Sequence, residues 1–457
     1  MFAALALLTA ACMPLGFLGT TPDDSQVPDD SDPTEEPVAL SGLSWRLHET
    51  MGSLVYVAWD QDRDGAIHAE YSFDEGEWHS SPTWSLGPGR HERLLAGIPF
   101  AEEAVWRLVP EPGEAVDGDA IATGAAPAGL PKAQVDVAEP DRWLPEGRYL
   151  LTSINADTGG WTEGTYWTFI LDRAGRAVWA QAAPHNHWTL FAQVSADRTH
   201  FLWDEATYWS DWDDGAQSTV HRTYLDAEIE QIATPGLHHA FLELPDHTLA
   251  WGSQYHDRGE ALVLRGPDDA DETVLWTCAE DWPDSGRNCE SNCLFYSPER
   301  DSFLYSFYTN DTLLEIDRAS GESLWWAGMV SGGYAFDPTD SQFFWQHGVS
   351  YTSEGHLLLS TQVRGEYTIY VREYEVDHDA DALHEVWSYD PQVFASTNGD
   401  AWRLANGNTL HLLGSAGQIN EVTPAGEVVW HVDFRGERLL GRGEFIEDLY
   451  TLVAPAP

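Results

Sequence analysis

The sequence has very little positive charge. Of its 457 residues, 23 are Lys or Arg and 75 are Asp or Glu, which gives a formal net charge of −52. Lys132 is the one lysine in the chain. Proteins that bind nucleic acid or anionic membranes by charge need clustered Lys and Arg to replace counterions. The composition therefore excludes a general nucleic-acid binder and attachment to a membrane through a basic surface, and the acidity itself is typical of a solvated exterior.

Long hydrophobic runs are also scarce. Residues 2–11 form a short apolar run that ends just before Cys12 and is too short to remain as a membrane span. Residues 1–19 therefore indicate an export signal, and the small residues before Cys12 resemble the bacterial lipoprotein cleavage box, in which that cysteine becomes lipidated. Residues 20–40 are rich in Asp, Glu and Pro and predict an extended tether. We expect an exported protein whose only membrane contact is a lipid anchor on Cys12.

Cysteines are few as well. Apart from Cys12, the chain has Cys278, Cys289 and Cys293, all within one short segment. In an oxidising compartment, Cys278 is expected to form a disulfide with either Cys289 or Cys293, leaving the third thiol free. A metal site of three thiolates is the alternative, but the segment contains no histidine. We therefore predict no metal site and no cofactor.

Residues 41–131 alternate apolar and polar positions at period two, with Gly- and Pro-rich turns between the runs. This pattern predicts a small β-sandwich of the immunoglobulin or fibronectin type III kind, ending in the Ala-, Pro- and Gly-rich stretch before residue 132. Asp60, Asp62 and Asp64 imitate the start of a calcium loop, but Tyr71 stands at its twelfth position. We interpret this segment as a solvated hairpin tip, with a Ca²⁺ site as the alternative.

Residues 132–457 contain a longer repeat. Polar turns lead into strands that usually carry a tryptophan, and the repeat step is about 50 residues. The strands of this repeat carry Trp179, Trp276, Trp326, Trp387 and Trp430, with a copy that lacks tryptophan at residues 224–232. Repeats of this length, built from short strands without a helical period, are typical of propeller blades. We predict an all-β protein in which a six-bladed β-propeller, closed by the last strand of the chain, follows the sandwich.

A second set of repeated positions points to a site. His239, Asn292, His347 and Gly399 follow one another at steps of 52 to 55 residues. Because the innermost strand of each blade lines the central channel, equivalent positions should face one another at the channel mouth. Convergent polar side chains in a concavity predict a functional site, although polar channels that hold only water are also common.

Three further motifs carry a family resemblance. They are the HH…LPD…L segment at residues 238–249, the FFWQH segment at residues 343–347, and the closing segment at residues 403–430. Together with the order of sandwich and propeller, they resemble the bacterial arylsulfotransferases from Ser41 to the C-terminus. That family consists of exported enzymes, independent of PAPS, that move a sulfuryl group from an aryl sulfate to a phenol.

The resemblance implies roles for several residues. His347 matches the nucleophile that is transiently sulfated, and His239 matches a second catalytic histidine that acts as general acid or base. His238, which could take that place instead, is expected to bind substrate, and Asn292 matches an asparagine that holds the sulfuryl group. No cofactor is implied.

Two positions depart from the family. Glu290 stands where the family has a histidine, and Tyr308 where it has an arginine, so two groups that would offset sulfate charge are missing. Arg364, or Arg403, could supply a substitute cation, and we expect Arg364 to contact substrate. The alternatives to a sulfotransferase are a propeller that has lost its chemistry and serves as a binding module, and a propeller that binds a metal through its channel histidines.

Overall fold

The computed structural model describes residues 36–455, except for 75, 156–164, 185–186, 207–217, 255–259, 270, 283–288 and 437. The predicted export signal, Cys12 and most of the predicted tether lie outside the described residues. In the part of the chain that is described, no helix is both long enough and apolar enough to cross a bilayer.

The N-terminal strands form two antiparallel sheets that pack face to face. The strands are β1 (Leu40–Leu47), β2 (Val55–Gln61), β3 (Gly65–Asp74), β4 (Glu77–Ser80), β5 (Trp84–Leu86), β6 (Gly89–Leu95), β7 (Glu103–Glu111), β8 (Val116–Asp117) and β9 (Ile121–Ala122). One sheet has the order β1-β2-β6 and the other β4-β3-β7-β8, with β5 on β3 and β9 on β7. The alternating apolar residues of both sheets meet around Trp59 and Trp106, which are buried.

The acidic turn at residues 62–64 is not a hairpin tip, so that interpretation was wrong. β2 pairs with β1 and β6, whereas β3 pairs with β4, β5 and β7, and the turn carries the chain from one sheet to the other. Asp60 forms an ion pair with Arg90. Asp62 accepts a hydrogen bond from the backbone N–H of Ala39 and pairs with Arg63. These carboxylates therefore tie down the edge of the sandwich.

From residue 134 onward, the described residues form a succession of sheets of four or five strands each. Their elements are β10 (Gln134–Ala138), β11 (Tyr149–Asn155), β12 (Tyr166–Asp172), β13 (Ala177–Ala182), β14 (Ala192–Val194), β15 (Phe201–Glu205), β16 (Thr219–Thr223), β17 (Glu228–Ala233), β18 (Leu237–Glu243), β19 (Leu249–Ser253), β20 (Ala261–Arg265), β21 (Thr273–Thr277), α1 (Cys278–Asp281), β22 (Ser291–Ser297), β23 (Ser302–Phe307), β24 (Thr312–Asp317), β25 (Ser323–Gly328), β26 (Ala335–Asp337), β27 (His347–Tyr351), β28 (Leu357–Gln362), β29 (Ile369–Asp377), β30 (Ala382–Tyr389), β31 (Asp400–Arg403), β32 (Thr409–Leu412), β33 (Gln418–Val422), β34 (Val428–Asp433) and β35 (Leu439–Ile446), with short 3-10 turns at Thr339–Ser341, Gly414–Ala416 and Leu449–Leu452.

The sheets are joined into a β-propeller by the two ends of this region. The first sheet has the order β13-β12-β11-β35, so its innermost strand comes from the C-terminus of the chain. The last sheet has the order β10-β34-β33-β32-β31, so its outermost strand comes from before the first sheet. The prediction that the last strand closes the ring is confirmed, and closure covers edges that an open stack would leave exposed.

The tryptophan repeat has a structural cause. The repeated tryptophans lie on the outermost strands β13, β21 and β25, or on β30 and β34, which are each covered by one added strand, and four donate their indole N–H to the neighbouring sheet or its turn. The acceptors are Leu225 O for Trp179, Ser323 Oγ for Trp276, Pro424 O for Trp387 and Arg173 O for Trp430. A large apolar side chain with one polar tip can fill the gap between adjacent sheets and bond across it. The repeat therefore marks contacts between sheets.

Candidate active site

A cavity of about 300 Å³ opens where the innermost strands of three successive sheets begin. Its walls are formed by the side chains of His239, Asn292, Tyr308, Trp345, His347, Ser396 and Thr397. Three of the four repeated positions therefore meet at one cavity. Gly399, the fourth, is outside this set, and Ser396 and Thr397 of the same segment take its place on the wall.

His347 is held in one tautomer. Its Nδ1 lies 2.8 Å from the carbonyl oxygen of Trp345. A carbonyl oxygen can only accept, so Nδ1 carries the hydrogen and Nε2 keeps its lone pair. Burial lowers the pKa of His347 to about 4, so the ring is neutral at pH 7. A neutral imidazole with a fixed, unprotonated Nε2 is suited to act as a nucleophile or base.

His239 occupies the cavity wall in a strained backbone conformation. Its φ is +58°, within a stretch where the pairing of β18 with β19 is irregular between Leu237 and Phe241. Side chains other than glycine rarely adopt positive φ, and such residues cluster at functional sites. Burial holds the pKa of His239 well below its usual value, and the nearby rings of His238 and His347 lower it further.

His238 lies behind this wall, outside the described residues that line the cavity. Its ring centroid is 4.2 Å from that of His239, and the two rings are nearly perpendicular. Its Nδ1 lies 3.4 Å from Nε2 of Gln254. Burial lowers the pKa of His238 to about 3. His238 thus packs against His239 rather than facing the cavity, unlike the substrate-binding position expected from the sequence.

A buried glutamate behind the histidines was missed by the sequence analysis. Oε1 of Glu260 accepts hydrogen bonds of 2.5 Å from the Ser291 hydroxyl and the Tyr305 hydroxyl. Oε2 accepts a 3.1 Å bond from Nε2 of Gln254, which links the carboxyl to His238. Burial raises the pKa of Glu260 to about 7. The residue belongs to no motif or repeat, so only the fold reveals it.

The amide of Asn292 is oriented by its neighbour. Its Nδ2 donates a 2.7 Å hydrogen bond to the carbonyl oxygen of Gln346. Its Oδ1 is buried and has no hydrogen-bond partner among the described residues. Asn292 therefore presents an oxygen where a sulfuryl group would need an N–H donor.

Tyr308 and Glu290 form a pair at the same wall. The Tyr308 hydroxyl donates a short hydrogen bond to the Glu290 carboxylate, and the Tyr308 N–H donates to the Glu290 carbonyl oxygen. The Tyr308 ring centroid lies 6.3 Å from that of His239. Tyr308 lines the cavity and Glu290 does not. The carboxylate is therefore held behind a tyrosine hydroxyl.

The two arginines proposed as substitute cations lie elsewhere. Arg364 is exposed, and its guanidinium carbon is 5.4 Å from the centroid of the Phe344 ring. Arg403 pairs with the carboxylate of Glu373 and donates to the Thr409 hydroxyl. No described residue of the cavity wall carries a positive charge. The expectation that Arg364 contacts substrate finds no support in the cavity as described.

Trp345 supplies the apolar part of the wall. Its φ is +45°, and its backbone N–H donates a 2.9 Å hydrogen bond to Oδ1 of Asp311. The sequence analysis quoted Trp345 within the FFWQH motif without giving it a role, and it missed Ser396 and Thr397 because they precede the repeated position at Gly399. An indole and a phenol ring on the walls favour an aromatic ligand.

Cys278 and Cys289 form a disulfide, and Cys293 is a buried free thiol. The prediction of a disulfide is confirmed, with Cys289 as the partner. Within the described ranges, the groups whose geometry could hold a metal are Asp74 with Glu77 and His79, and Asp136 with His431 and Asp433. Neither group includes a residue of the cavity wall.

No protein-family model matches the chain, and no curated protein matches it. Solved structures with some likeness include a protein of unknown function from Bacteroides caccae, with 13% identity over 62% of this chain and 93% of that one at a TM-score of 0.41. The β-propeller domain of Cps50 (Swd1) from Myceliophteria thermophila has 14% identity over 66% and 86%, at 0.41. A streptogramin B lyase has 11% identity over 68% and 90%, at 0.40. Likenesses of this extent say nothing about the chemistry of the cavity.

Proposed function

We propose that the protein is an arylsulfotransferase built on a six-bladed propeller, which moves a sulfuryl group from an aryl sulfate to a phenol through sulfated His347. The proposal rests on the hydrogen bond that His347 Nδ1 donates to the Trp345 carbonyl oxygen, because this bond leaves Nε2 of a cavity-wall histidine unprotonated. Trp345 and Tyr308 supply aromatic walls for the donor and acceptor rings.

The reaction divides into two displacements. Nε2 of His347 attacks the sulfur, the N–S bond forms, and the S–O bond breaks with its electron pair on the leaving phenolate. The acceptor phenol then attacks the same sulfur, the N–S bond breaks with its pair returning to Nε2, and His239 takes the phenolic proton. Because the pKa of His239 is lowered, its ring is neutral at pH 7 and has a free site for this proton. The proton then leaves to solvent.

A second function is supported by one observation. The described cavity wall has no positive charge to balance the sulfuryl oxygens. The Glu290 carboxylate lies behind this wall, where it accepts a hydrogen bond from the Tyr308 hydroxyl. A neutral aromatic molecule would fit such a wall without this cost, so the alternative is a binding module for a small phenol that performs no chemistry.

An assay separates the two functions. The purified protein is incubated with 4-nitrophenyl sulfate, with and without phenol as acceptor, and nitrophenol release is followed. We expect release that depends on phenol, with loss of at least about a thousandfold in His347→Ala. His384→Ala, at a half-buried histidine outside the cavity wall, serves as the matched control and should retain the full rate. Intact-mass measurement before acceptor is added should show one sulfuryl group on the wild type and none on His347→Ala.

The outcomes are distinct. No phenol-dependent release, together with measurable nitrophenol binding, would overturn the sulfotransferase and support the binding module. Equal release by the wild type and His347→Ala would overturn the role of His347. Absence of both release and binding would overturn both functions.

We further propose that the mature protein is exported and anchored by lipid on Cys12, with no other membrane contact. The support is the sequence alone: an apolar run, a cysteine after small residues, and an acidic tether. Mass spectrometry of the mature N-terminus after expression in a bacterium tests this. A diacylglycerol-modified Cys12 is expected, and an unmodified N-terminus at another residue would overturn the anchor.

A further inference from the structure

The amide of Asn292 lies on the cavity wall, and a backbone carbonyl fixes its orientation. Rotating the amide by half a turn would place Oδ1 instead of Nδ2 at 2.7 Å from the Gln346 carbonyl oxygen. Two oxygens at that distance repel, so this orientation is excluded. Asn292 is 1% exposed, and its free acceptor cannot turn toward bulk water.

The Gln346 carbonyl that fixes Asn292 is itself held rigidly. Nε2 of Gln346 donates to the Ser306 hydroxyl at 3.1 Å, to the Phe307 carbonyl at 3.2 Å and to the Thr312 carbonyl at 3.0 Å. Gln346 is fully buried, at 0% exposure. The carbonyl and the amide that it orients are therefore parts of one fixed unit, and Oδ1 of Asn292 is a preorganised acceptor.

We propose that Oδ1 of Asn292 accepts a hydrogen bond from the hydroxyl of a neutral phenol. This wall is then the subsite for the acceptor and does not hold the sulfuryl group. The inference rests on the proposed function in one respect, because the bound phenol is an acceptor only if a sulfuryl group is transferred to it. A buried acceptor left without a donor costs free energy, and a phenol O–H removes that cost, whereas a sulfuryl oxygen would face the amide oxygen and repel it.

The geometry also couples this subsite to the proposed base. Asn292 and His239 line the same cavity, as does His347. A phenol has one hydroxyl hydrogen, so donation to Oδ1 of Asn292 describes the bound acceptor before His239 takes the proton. Neutral phenols should therefore bind better than aryl molecules that have the same shape but no O–H.

The experiment is a binding titration with the full-length protein and no sulfate donor, followed by calorimetry. 4-Methylphenol is compared with 4-fluorotoluene, which replaces the hydroxyl by fluorine at nearly the same size. The wild type should bind the phenol about tenfold more tightly. Asn292→Leu should lose that preference. Thr397→Val, which removes a hydroxyl from the same wall, is the matched control and should retain it.

Equal binding of the two ligands by the wild type would overturn the proposal, and this result needs no variant to fold. Retention of the preference in Asn292→Leu, or its loss in Thr397→Val alone, would also overturn it by assigning the contact to another group. The titration is independent of sulfuryl transfer. A protein that prefers the phenol through Asn292 but transfers no sulfuryl group would overturn the proposed function and leave the phenol subsite standing.

Discussion

The innermost strands of the propeller carry two polar regions of opposite character. Where the strands begin, His239, Asn292 and His347 line the cavity, and both histidines have lowered pKa values. Deeper along the axis, Nε of Arg442 lies 3.4 Å from Oδ1 of Asp400. The first region contains uncharged groups that line a cavity. The second contains a charged pair that does not line it.

The deeper pair is enclosed by its own hydrogen bonds. Arg442 Nη1 donates to the Leu294 carbonyl at 3.3 Å. Asp400 accepts a bond of 2.8 Å from the Trp402 indole and one of 3.2 Å from the Gly443 N–H. Charges buried in this way are tolerated only when paired, whereas neutral polar groups can be left open at lower cost. In this part of the propeller, the buried charges belong to a structural ion pair, whereas the described cavity wall consists of neutral groups.

The largest effect on stability is expected from breaking the Arg442–Asp400 ion pair. Arg442→Met leaves the Asp400 carboxylate buried without its cation and should lower the free energy of unfolding by about 3–5 kcal/mol. Urea denaturation followed by tryptophan fluorescence measures this. The matched control is Arg435→Met, because Arg435 is an exposed residue that pairs with Asp136 and Asp433. Its loss should cost less than about 1 kcal/mol.

The double variant Arg442→Met with Asp400→Asn should recover part of the loss, because it removes the orphaned charge. A cost for Arg442→Met no greater than that for Arg435→Met would contradict the view that the deeper region is held by its ion pair.

The next effect concerns the carboxyl behind the histidines. Burial raises the pKa of Glu260 from 4.5 to about 7, so the folded protein binds a proton that the unfolded chain releases. This contribution to stability is fully present below pH 4.5 and is lost as pH rises through about 7. The loss is at most about 1.4 kcal/mol per pH unit. Glu260→Gln should remove that slope between pH 4.5 and 7.

Unfolding free energies of the wild type and Glu260→Gln, measured in urea at several pH values, check this prediction. Glu299→Gln, at an exposed glutamate, is the matched control for replacing a carboxyl by an amide. Parallel pH profiles of the wild type and Glu260→Gln would show that Glu260 stays ionised in the fold.

The repeats could be predicted from the sequence because each repeated residue has the same structural role in successive sheets. A tryptophan is needed wherever two sheets pack, and an innermost strand must start at a similar place in each sheet, so His239, Asn292 and His347 share a cavity. The disulfide was confined to two pairings by spacing alone. These features depend on period and composition, which a single sequence displays.

Orientation could not be predicted from spacing. Asn292 was assigned to the sulfuryl group, but the carbonyl that turns its amide belongs to Gln346, on the next sheet. Arg364 was chosen because cations are scarce, yet its side chain lies on Phe344. The acidic turn at residues 62–64 was interpreted as a hairpin because its neighbours alternate, although the chain crosses between sheets there. In each case the deciding partner lies in another part of the sequence.

The smallest effect tests whether the cavity region stores backbone strain. His239 has a φ of +58°, where a Cβ costs about 1 kcal/mol relative to glycine, so His239→Gly should be more stable than His239→Ala by about that amount. His411 is a buried histidine within β32 whose burial lowers its pKa to about 3, and its φ is not positive. There the order should reverse, because glycine in a strand costs about 0.5–1 kcal/mol relative to alanine.

Urea denaturation of the four variants gives two differences whose signs, rather than sizes, decide the matter. Opposite signs would mean that the fold holds His239 in an unfavourable conformation that glycine would relieve, as expected of a side chain aimed at a ligand. The same sign at both positions would mean that His239 is an ordinary core histidine. The cavity region would then differ from the deeper region in charge alone, and the case for a functional site would rest on His347 and Asn292.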